Sequence, residues 1–189
     1  MTRFLSRDEV RRLHGALDAA SRHGPSQRRQ ADVIRLLLLT GCRKGEVTNL
    51  RWSEVDGDML ALADSKTGPR TVHLNPQARA VLDRQQRGES PWVFPSPVRP
   101  DRPCSDEVSL WRTVRREAGI EDVRLHDLRH NYASWAVMNG VPVPVVSRLL
   151  GHSSTRMTLR YVHLCDRDIR AAAERIGEAM AGHLDGDSV

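Results

Sequence analysis

The stretch LLGHSSTRMTLRYVHL, residues 149–164, places a histidine directly after a glycine and a tyrosine nine positions further on. That tyrosine, Tyr161, is one of only two in the chain, and it stands next to Arg160. A phenol with a pKa of about 10 is a poor nucleophile at neutral pH, unless cations hold the electrophile and help to remove the proton. The segment therefore indicates a tyrosine with a chemical role, and the rest of the chain must supply the cations.

The histidine and the tyrosine of this stretch can act on one group only if the chain bends between them. Nine residues of straight helix would separate His152 from Tyr161 by about 13 Å. Gly151 can end the preceding helix in the left-handed conformation, and the following SST can start a new segment. We therefore expect a sharp turn at Gly151 that brings the imidazole and the phenol together.

The composition favours a polyanionic partner. The 189 residues include 29 lysines and arginines against 24 aspartates and glutamates, and Lys44 and Lys66 are the only lysines. The guanidinium group of arginine binds phosphate oxygens through paired hydrogen bonds, and a basic domain attracts polyanions. A high-GC genome would also enrich arginine, so the positions of particular arginines carry more information than their number.

Three further features indicate a soluble cytoplasmic protein. The three cysteines form no Cys-x-x-Cys pair, which argues against a disulfide framework and against a cysteine-rich zinc site. The chain opens with the charged stretch MTRFLSRDEVRRL, which does not resemble a signal peptide. Its longest apolar run, Leu36 to Leu39, is too short to span a bilayer.

Capping signals and hydrophobic periodicity predict a mainly α-helical domain over residues 1–181, with one small antiparallel β-hairpin. Residues 182–189 are expected to form a disordered tail. The predicted strands are MLALA and RTVHL, joined by the turn-like DSKTGP. The predicted helices cover residues 6–23, 28–41, 43–52, 75–86, 105–119, 126–140, 143–151 and about 166–181.

Three more segments carry residues suited to a charged site. TGCRKGEV places Arg43 after a helix end and Glu46 one turn later, and DSKTG places Lys66 at the hairpin tip. HDLRHNY places His126 and Arg129 three positions apart, on one face of a helix. Each segment alone has an ordinary interpretation: a solvated ion pair, a solvated turn and a polar helix start.

Together, and in this order, the four segments resemble the catalytic domain of the tyrosine recombinase (phage integrase) family. TGCRKGEV resembles the family's first arginine box, HDLRH its His-x-Leu-Arg box, and the opening stretch its His-to-Tyr segment at the usual spacing. Lys66 matches the hairpin lysine of the family, whereas His73 stands where many members have proline. The resemblance extends over residues 4–169 and implies the mainly helical catalytic-domain fold with its small β-hairpin.

The resemblance implies a site-specific recombinase that cuts and rejoins DNA strands through a 3′-phosphotyrosyl intermediate. Because the covalent link conserves the energy of the broken bond, no cofactor and no metal are expected. The implied roles are Tyr161 as nucleophile, Arg43 and Arg129 as clamps on the phosphate oxygens, His152 as a further donor, His126 as base or proton relay, Lys66 as general acid, and Glu46 as a support of the site.

The family also implies double-stranded DNA as the partner and a tetramer assembled on paired DNA sites, with a monomer expected in free solution. Members usually carry a separate N-terminal DNA-binding domain, which this sequence is expected to lack. The chain is thus either an excised domain or a naturally short member, like the fimbrial phase-switch recombinases.

Three alternatives remain at this point. A relative that only binds DNA and regulates recombination would share the fold, and a type IB topoisomerase-like strand transferase would share the constellation. HDLRH also places His126 and His130 four positions apart, like the helical zinc pair of metalloproteases, although Asp127 stands where the catalytic glutamate would be. Tyr132, the other tyrosine, is expected in the core beside Trp135.

Overall fold

A computed structural model of the chain describes residues 3–63, 65, 68–104, 108–152, 155–164 and 169–184. The helices are α1 (Arg7–Ser21), α2 (Pro25–Thr40), α3 (Lys44–Thr48), α4 (Pro76–Asp83), α5 (Leu110–Glu117), α6 (Asp127–Met138), α7 (Val143–Leu150) and α8 (Ile169–Leu184). The strands are β1 (Val55–Asp56), β2 (Met59–Leu62) and β3 (Arg70–His73), and short 3₁₀ segments cover Trp52–Glu54, Thr155–Met157 and Leu159–Leu164.

The first helix begins with the capping box that the sequence predicted. The Ser6 hydroxyl accepts a hydrogen bond from the backbone N–H of Glu9, and the Glu9 carboxylate accepts one from the backbone N–H of Ser6. Gly24 and Pro25 do separate α1 from α2, but α2 begins at Pro25, three residues earlier than predicted. Proline is well tolerated there because the first-turn N–H groups of a helix have no partner within it.

α2 lies at the centre of the fold, as its apolar sequence predicted. It packs against α1, α3, α4, α5 and α6, and it is buried along most of its length. Its two buried charges are partnered: Asp32 accepts hydrogen bonds from Arg35 at 2.8 Å, from Arg84 at 2.7 Å and from Gln85 at 2.8 Å. Because buried charges are costly unless they are paired, these contacts permit a polar stripe at the centre of the domain.

The sheet has three antiparallel strands, in the order β1-β2-β3, where the sequence predicted a two-stranded hairpin. The missed strand β1 has two residues, which is too short to show an alternating pattern. Leu60 pairs with Val72 and both face the core, so the register is set by the buried face. The hairpin tip that carries Lys66 lies outside the described residues.

The hydrophobic core has two parts. The larger one surrounds α2 and extends to the sheet and to α5. The smaller one consists of Ala133, Val137, Val146, Leu150 and Tyr161, which come from α6, α7 and the 3₁₀ segment Leu159–Leu164. α6 contributes to both parts, and consecutive residues on it can therefore face different surroundings.

The C-terminal third differs from the prediction in detail. α5 begins at Leu110, and the predicted start at Ser105 lies outside the described residues. The chain after α7 forms 3₁₀ turns, and α8 continues to Leu184, three residues into the predicted tail. Tyr132 is only partly buried, and its ring packs closely against Gly41. Within the described residues, no helix is long and apolar enough to cross a membrane.

Candidate active site

α6 carries an arginine that is buried between the ends of two other helices. The Arg129 side chain donates from Nη1 to the carbonyl oxygen of Gly41 at 2.7 Å and from Nη2 to that of Leu150 at 2.5 Å. Gly41 follows the last residue of α2, and Leu150 is the last residue of α7. Helix C-termini present unpaired carbonyls and a partial negative charge, so they can hold a buried cation.

The environment of Arg129 contains further cations. Burial, together with the nearby Arg43 and Arg70, lowers the pKa of Arg129 to about 10, which leaves the group protonated at neutral pH. A guanidinium has five N–H donors, and only two are used by the two carbonyls. Arg129 also lines an open cleft of about 440 Å³, so an acceptor from outside can approach it.

Glu46 joins the other two arginines. Its carboxylate accepts hydrogen bonds from Arg43 Nη1 at 2.9 Å and from the Arg43 backbone N–H at 2.7 Å. It also accepts from Arg70 Nη2 at 2.7 Å and from Arg70 Nε at 3.2 Å. Burial opposes ionisation of this carboxyl, but the hydrogen bonds outweigh burial and lower the pKa of Glu46 below its ordinary value.

The three arginines converge on consecutive carbonyls at the end of α7. Arg70 Nη1 donates to Leu149 at 2.9 Å, Arg129 donates to Leu150, and Arg43 Nη2 lies 3.5 Å from the carbonyl oxygen of Gly151. Three guanidinium groups therefore surround one carboxylate, which leaves an excess of positive charge in a largely desolvated place. Such a site favours an anion that can accept several N–H groups at once.

Arg70 is a site residue that the sequence interpretation missed. Its side chain is only 8% exposed, although it stands at the first position of β3. The alternation of β3 places Arg70 on the same face as the buried Val72, and that pattern was a signal that the arginine points inward.

The chain turns at Gly151, as predicted. Gly151 adopts a left-handed conformation with φ of +61°, and a Cβ at this position would lie 2.5 Å from Cδ of Arg70. His152 follows, and its Nδ1 lies 2.8 Å from the hydroxyl oxygen of the buried Thr158. Burial, together with Arg129 and Arg43, lowers the pKa of His152 to about 4, so the imidazole is neutral at pH 7.

Tyr161 is buried in the smaller core. Its side chain is 1% exposed, and its hydroxyl oxygen lies 2.5 Å from Nδ1 of His130. Burial raises the pKa of Tyr161 above the ordinary value of a phenol, so the hydroxyl keeps its proton at neutral pH. His126, which the sequence suggested as the partner of Tyr161, lies at the start of α6, with its ring edge-on to that of His130 at 5.4 Å.

Arg43 lines an open cleft of about 660 Å³ on the sheet side of the site. The cleft is also bordered by Glu46, Arg51, Ser65 and Trp92, and the Arg51 guanidinium stacks 4.3 Å above the Trp92 ring. Arg43 and Arg129 can thus both be reached from outside. Among the residues that the structure describes, no three His, Cys, Asp or Glu side chains are grouped so as to hold a metal ion.

The model of the phage integrase family matches residues 3–167. The chain belongs to the phage integrase family. Among its family relatives, the integrase of Salmonella phage P22 is 34% identical over 160 residues, which are 76% of this chain and 41% of that protein. The predicted family is thereby confirmed.

Solved structures of this family share the fold. The crystal structure of XerA recombinase superposes with a TM-score of 0.74 at 26% identity, over 93% of this chain and 65% of that one. The catalytic domain of bacteriophage HP1 integrase gives 0.70 at 26% identity, over 92% of this chain and 95% of that one. The mainly helical catalytic-domain fold is confirmed, and the chain spans less than two thirds of the P22 and XerA proteins.

We predict that Glu46→Gln destabilises the domain by about 3 kcal/mol at pH 7, because it leaves the buried guanidinium of Arg70 and the partly buried one of Arg43 without their carboxylate. The folded-state pKa of Glu46 is lowered, so its contribution is fully present above the ordinary value of 4.5 and is lost as the pH falls below it. Urea unfolding from pH 7 to pH 3 should therefore show the gap between wild type and variant closing below about pH 4.5.

The control for this prediction is Glu117→Gln, at an exposed position on α5. It should shift the unfolding midpoint little at any pH in this range. A Glu46→Gln variant as stable as the control variant at pH 7 would show that the carboxylate does not hold the arginines together.

Proposed function

We propose that this chain is a site-specific DNA recombinase that cuts and rejoins strands through a phosphotyrosyl intermediate. The observation that carries the proposal is the arginine cluster at the end of α7, which has an excess of positive charge and lies next to the segment with Tyr161. The P22 integrase and the XerA recombinase, both similar to this chain, support the same activity.

The arginines act on the transition state. When the phenol attacks a phosphodiester, extra negative charge develops on the non-bridging oxygens, and fixed guanidinium forks stabilise that charge. Arg43 and Arg129 line open clefts and are the two that contact the phosphate. Arg70 is held by Glu46 and Leu149, so it positions the others and does not reach the DNA.

His152 donates a further hydrogen bond to the phosphate. Its neutral imidazole carries one proton. If the Thr158 hydroxyl donates its hydrogen bond to Nδ1, that proton is on Nε2. The tautomer is assigned from this hydrogen bond. A neutral donor suits the position, because a fourth cation beside three arginines would be costly.

Tyr161 attacks the phosphorus and forms the 3′-phosphotyrosyl bond, while Lys66 protonates the leaving 5′-oxygen. Because the Tyr161 hydroxyl is buried beside His130, the 3₁₀ segment Leu159–Leu164 must open to let the phosphate reach it before attack. The role of Lys66 rests on the sequence match alone, because this lysine lies outside the described residues. His126 serves as a proton relay at the exposed edge of the site.

The proposed partner is double-stranded DNA, with a monomer in free solution and a tetramer assembled on two paired sites. The net charge of +5 and the arginine-lined clefts support a polyanionic partner. We further propose that the protein acts on DNA in the cytoplasm, at the nucleoid. No cofactor and no metal are needed in this scheme.

The decisive test is capture of a covalent protein–DNA adduct. The 189-residue chain is incubated with duplexes taken from the DNA that flanks its coding region and with a random duplex library, and adducts that survive detergent are sequenced. We expect one recurring sequence with inverted repeats. A regulator would bind DNA without any adduct, and a topoisomerase-like enzyme would form adducts and relax supercoils without a shared site.

We predict that Tyr161→Phe abolishes the adduct on the selected duplex while DNA binding stays within about twofold, because only the nucleophilic oxygen is removed. The matched control is Tyr132→Phe, which removes the only other phenol of the chain and should form adduct at the wild-type rate. Adduct formation by Tyr161→Phe, or its loss in a folded Tyr132→Phe, would contradict the assignment.

We predict that Arg43→Ala lowers the rate of adduct formation at saturating DNA by about 100-fold or more, by analogy with the loss of one oxyanion donor. Arg51→Ala is the control, because Arg51 borders the same cleft but is exposed and stacked on Trp92. It should weaken DNA binding and leave the saturated rate within a few fold. Equal loss of the saturated rate in both variants would show that Arg43 supplies only charge.

A further inference from the structure

A histidine to which the sequence assigned no role in strand cleavage contacts the proposed nucleophile directly. Nδ1 of His130 lies 2.5 Å from the Tyr161 hydroxyl oxygen, and the two ring centres are 6.1 Å apart. His130 follows Arg129 on α6 and lies one turn after His126. Arg129 faces the carbonyls of the anion site, whereas His130 faces the phenol. Two consecutive residues of α6 therefore contact the anion site and the phenol.

The surroundings of His130 keep its imidazole neutral at pH 7. Burial is the largest cause of its lowered pKa, and the neighbouring histidine His126 acts in the same direction. A neutral imidazole has one nitrogen free to accept a proton. The charged and titratable groups around the ring are His126, Asp127 and Arg124 on the side of α6, and Arg160 and Tyr161 on the 3₁₀ segment.

We propose that His130 is a catalytic residue that accepts the hydroxyl proton of Tyr161 during strand cleavage. This deepens the proposed function and rests on it. The short contact between Nδ1 and the hydroxyl oxygen carries the proposal, because proton transfer needs the two heavy atoms within hydrogen-bond reach. The tyrosine donates in this hydrogen bond, since its own pKa is raised and it retains the proton.

Cleavage moves one proton to His130 and replaces one phosphorus–oxygen bond with another. The O–H bond of Tyr161 breaks, its proton passes to Nδ1 of His130, and the phenolate oxygen forms a bond to phosphorus. The bond from phosphorus to the 5′-oxygen breaks, and that oxygen takes its proton from the general acid, Lys66 in the proposed scheme. In rejoining, a 5′-hydroxyl attacks the phosphotyrosyl phosphorus and gives its proton back to the deprotonated general acid. The bond from phosphorus to the tyrosine oxygen breaks, and the His130 imidazolium returns its proton to that oxygen.

His126 complements this role. It lies at the exposed start of α6, and its ring meets that of His130 edge-on at 5.4 Å. A proton held on the partly buried His130 can therefore pass toward solvent by way of His126. The relay role suggested by the sequence is kept in this scheme, while the base in contact with the hydroxyl is His130.

The test must distinguish a general base from a residue that only accepts a hydrogen bond from the buried Tyr161 hydroxyl. His130→Asn keeps an acceptor oxygen near the phenol but cannot hold the proton at neutral pH, whereas His130→Ala removes both functions. The probe is the selected duplex remade with sulfur at the bridging 5′ position. A thiolate leaves without a general acid, so the measured rate reports on attack by the tyrosine.

For the wild type, the rate of adduct formation should rise with pH over the range in which the His130 imidazolium loses its proton. Above the lowered pKa of His130, the rate should no longer depend on pH. For His130→Asn and His130→Ala, the rate at pH 7 should be at least about 100-fold lower, the usual scale of general-base catalysis. It should then rise about tenfold per pH unit up to pH 9, because hydroxide must remove the phenol proton. Unfolding in urea checks that the variants fold, and His130→Asn carries the test if His130→Ala does not.

Each outcome has one meaning. A His130→Asn variant as fast as the wild type would overturn the proposal and leave His130 as a positioning residue. Variants slowed by a constant factor at every pH would overturn it as well. Failure of the wild type to form any adduct would remove the proposed function and this proposal with it. In that case the nitrogen NMR shift of His130 Nδ1, compared between wild type and Tyr161→Phe, still reports whether the hydrogen bond exists.

Discussion

The site depends on one constraint: three successive carbonyls at the end of α7 each face a different arginine. Arg70 comes from the sheet, Arg129 from α6 and Arg43 from the start of α3, so distant parts of the chain meet at this helix end. Holding three cations in a largely desolvated place is costly, and Glu46 with the helix carbonyls offsets only part of that cost. The charge that remains unbalanced is the feature that suits the site to a phosphodiester.

The same helix end determines where the reactive side chains lie. Because Gly151 turns the chain in the left-handed conformation, His152 emerges beside the arginines and is held by Thr158. Tyr161 then returns to α6 and is sheltered against His130. α6 therefore carries both Arg129, which belongs to the anion site, and His130, which contacts the phenol, and burial raises the pKa of Tyr161 so that the hydroxyl keeps its proton at neutral pH.

Spacing in the sequence predicted the family, the fold class and the candidates Arg43, Arg129, His152 and Tyr161, because each belongs to a short local motif. Arg70 and His130 were missed as site residues, since their partners lie 79 and 31 positions away. The alternation of β3 indicated that Arg70 points inward, but it could not show which groups the arginine meets there. The two-residue strand β1 and the 3₁₀ turns after α7 were missed for a different reason: segments this short leave no periodicity, and tertiary packing sets their form.

In the proposed mechanism, the arginine cluster activates a phosphodiester for attack by Tyr161. The most direct measurement is the mass of the tryptic peptide that retains a nucleotide after the trapped adduct is digested with nuclease. Cleavage after Arg160 separates the two phenols, with Tyr161 in the peptide of residues 161–167 and Tyr132 in that of residues 130–148. We expect a nucleotide mass on the first peptide alone, and a nucleotide on the second peptide, or on any other side chain, would show that Tyr161 is not the nucleophile.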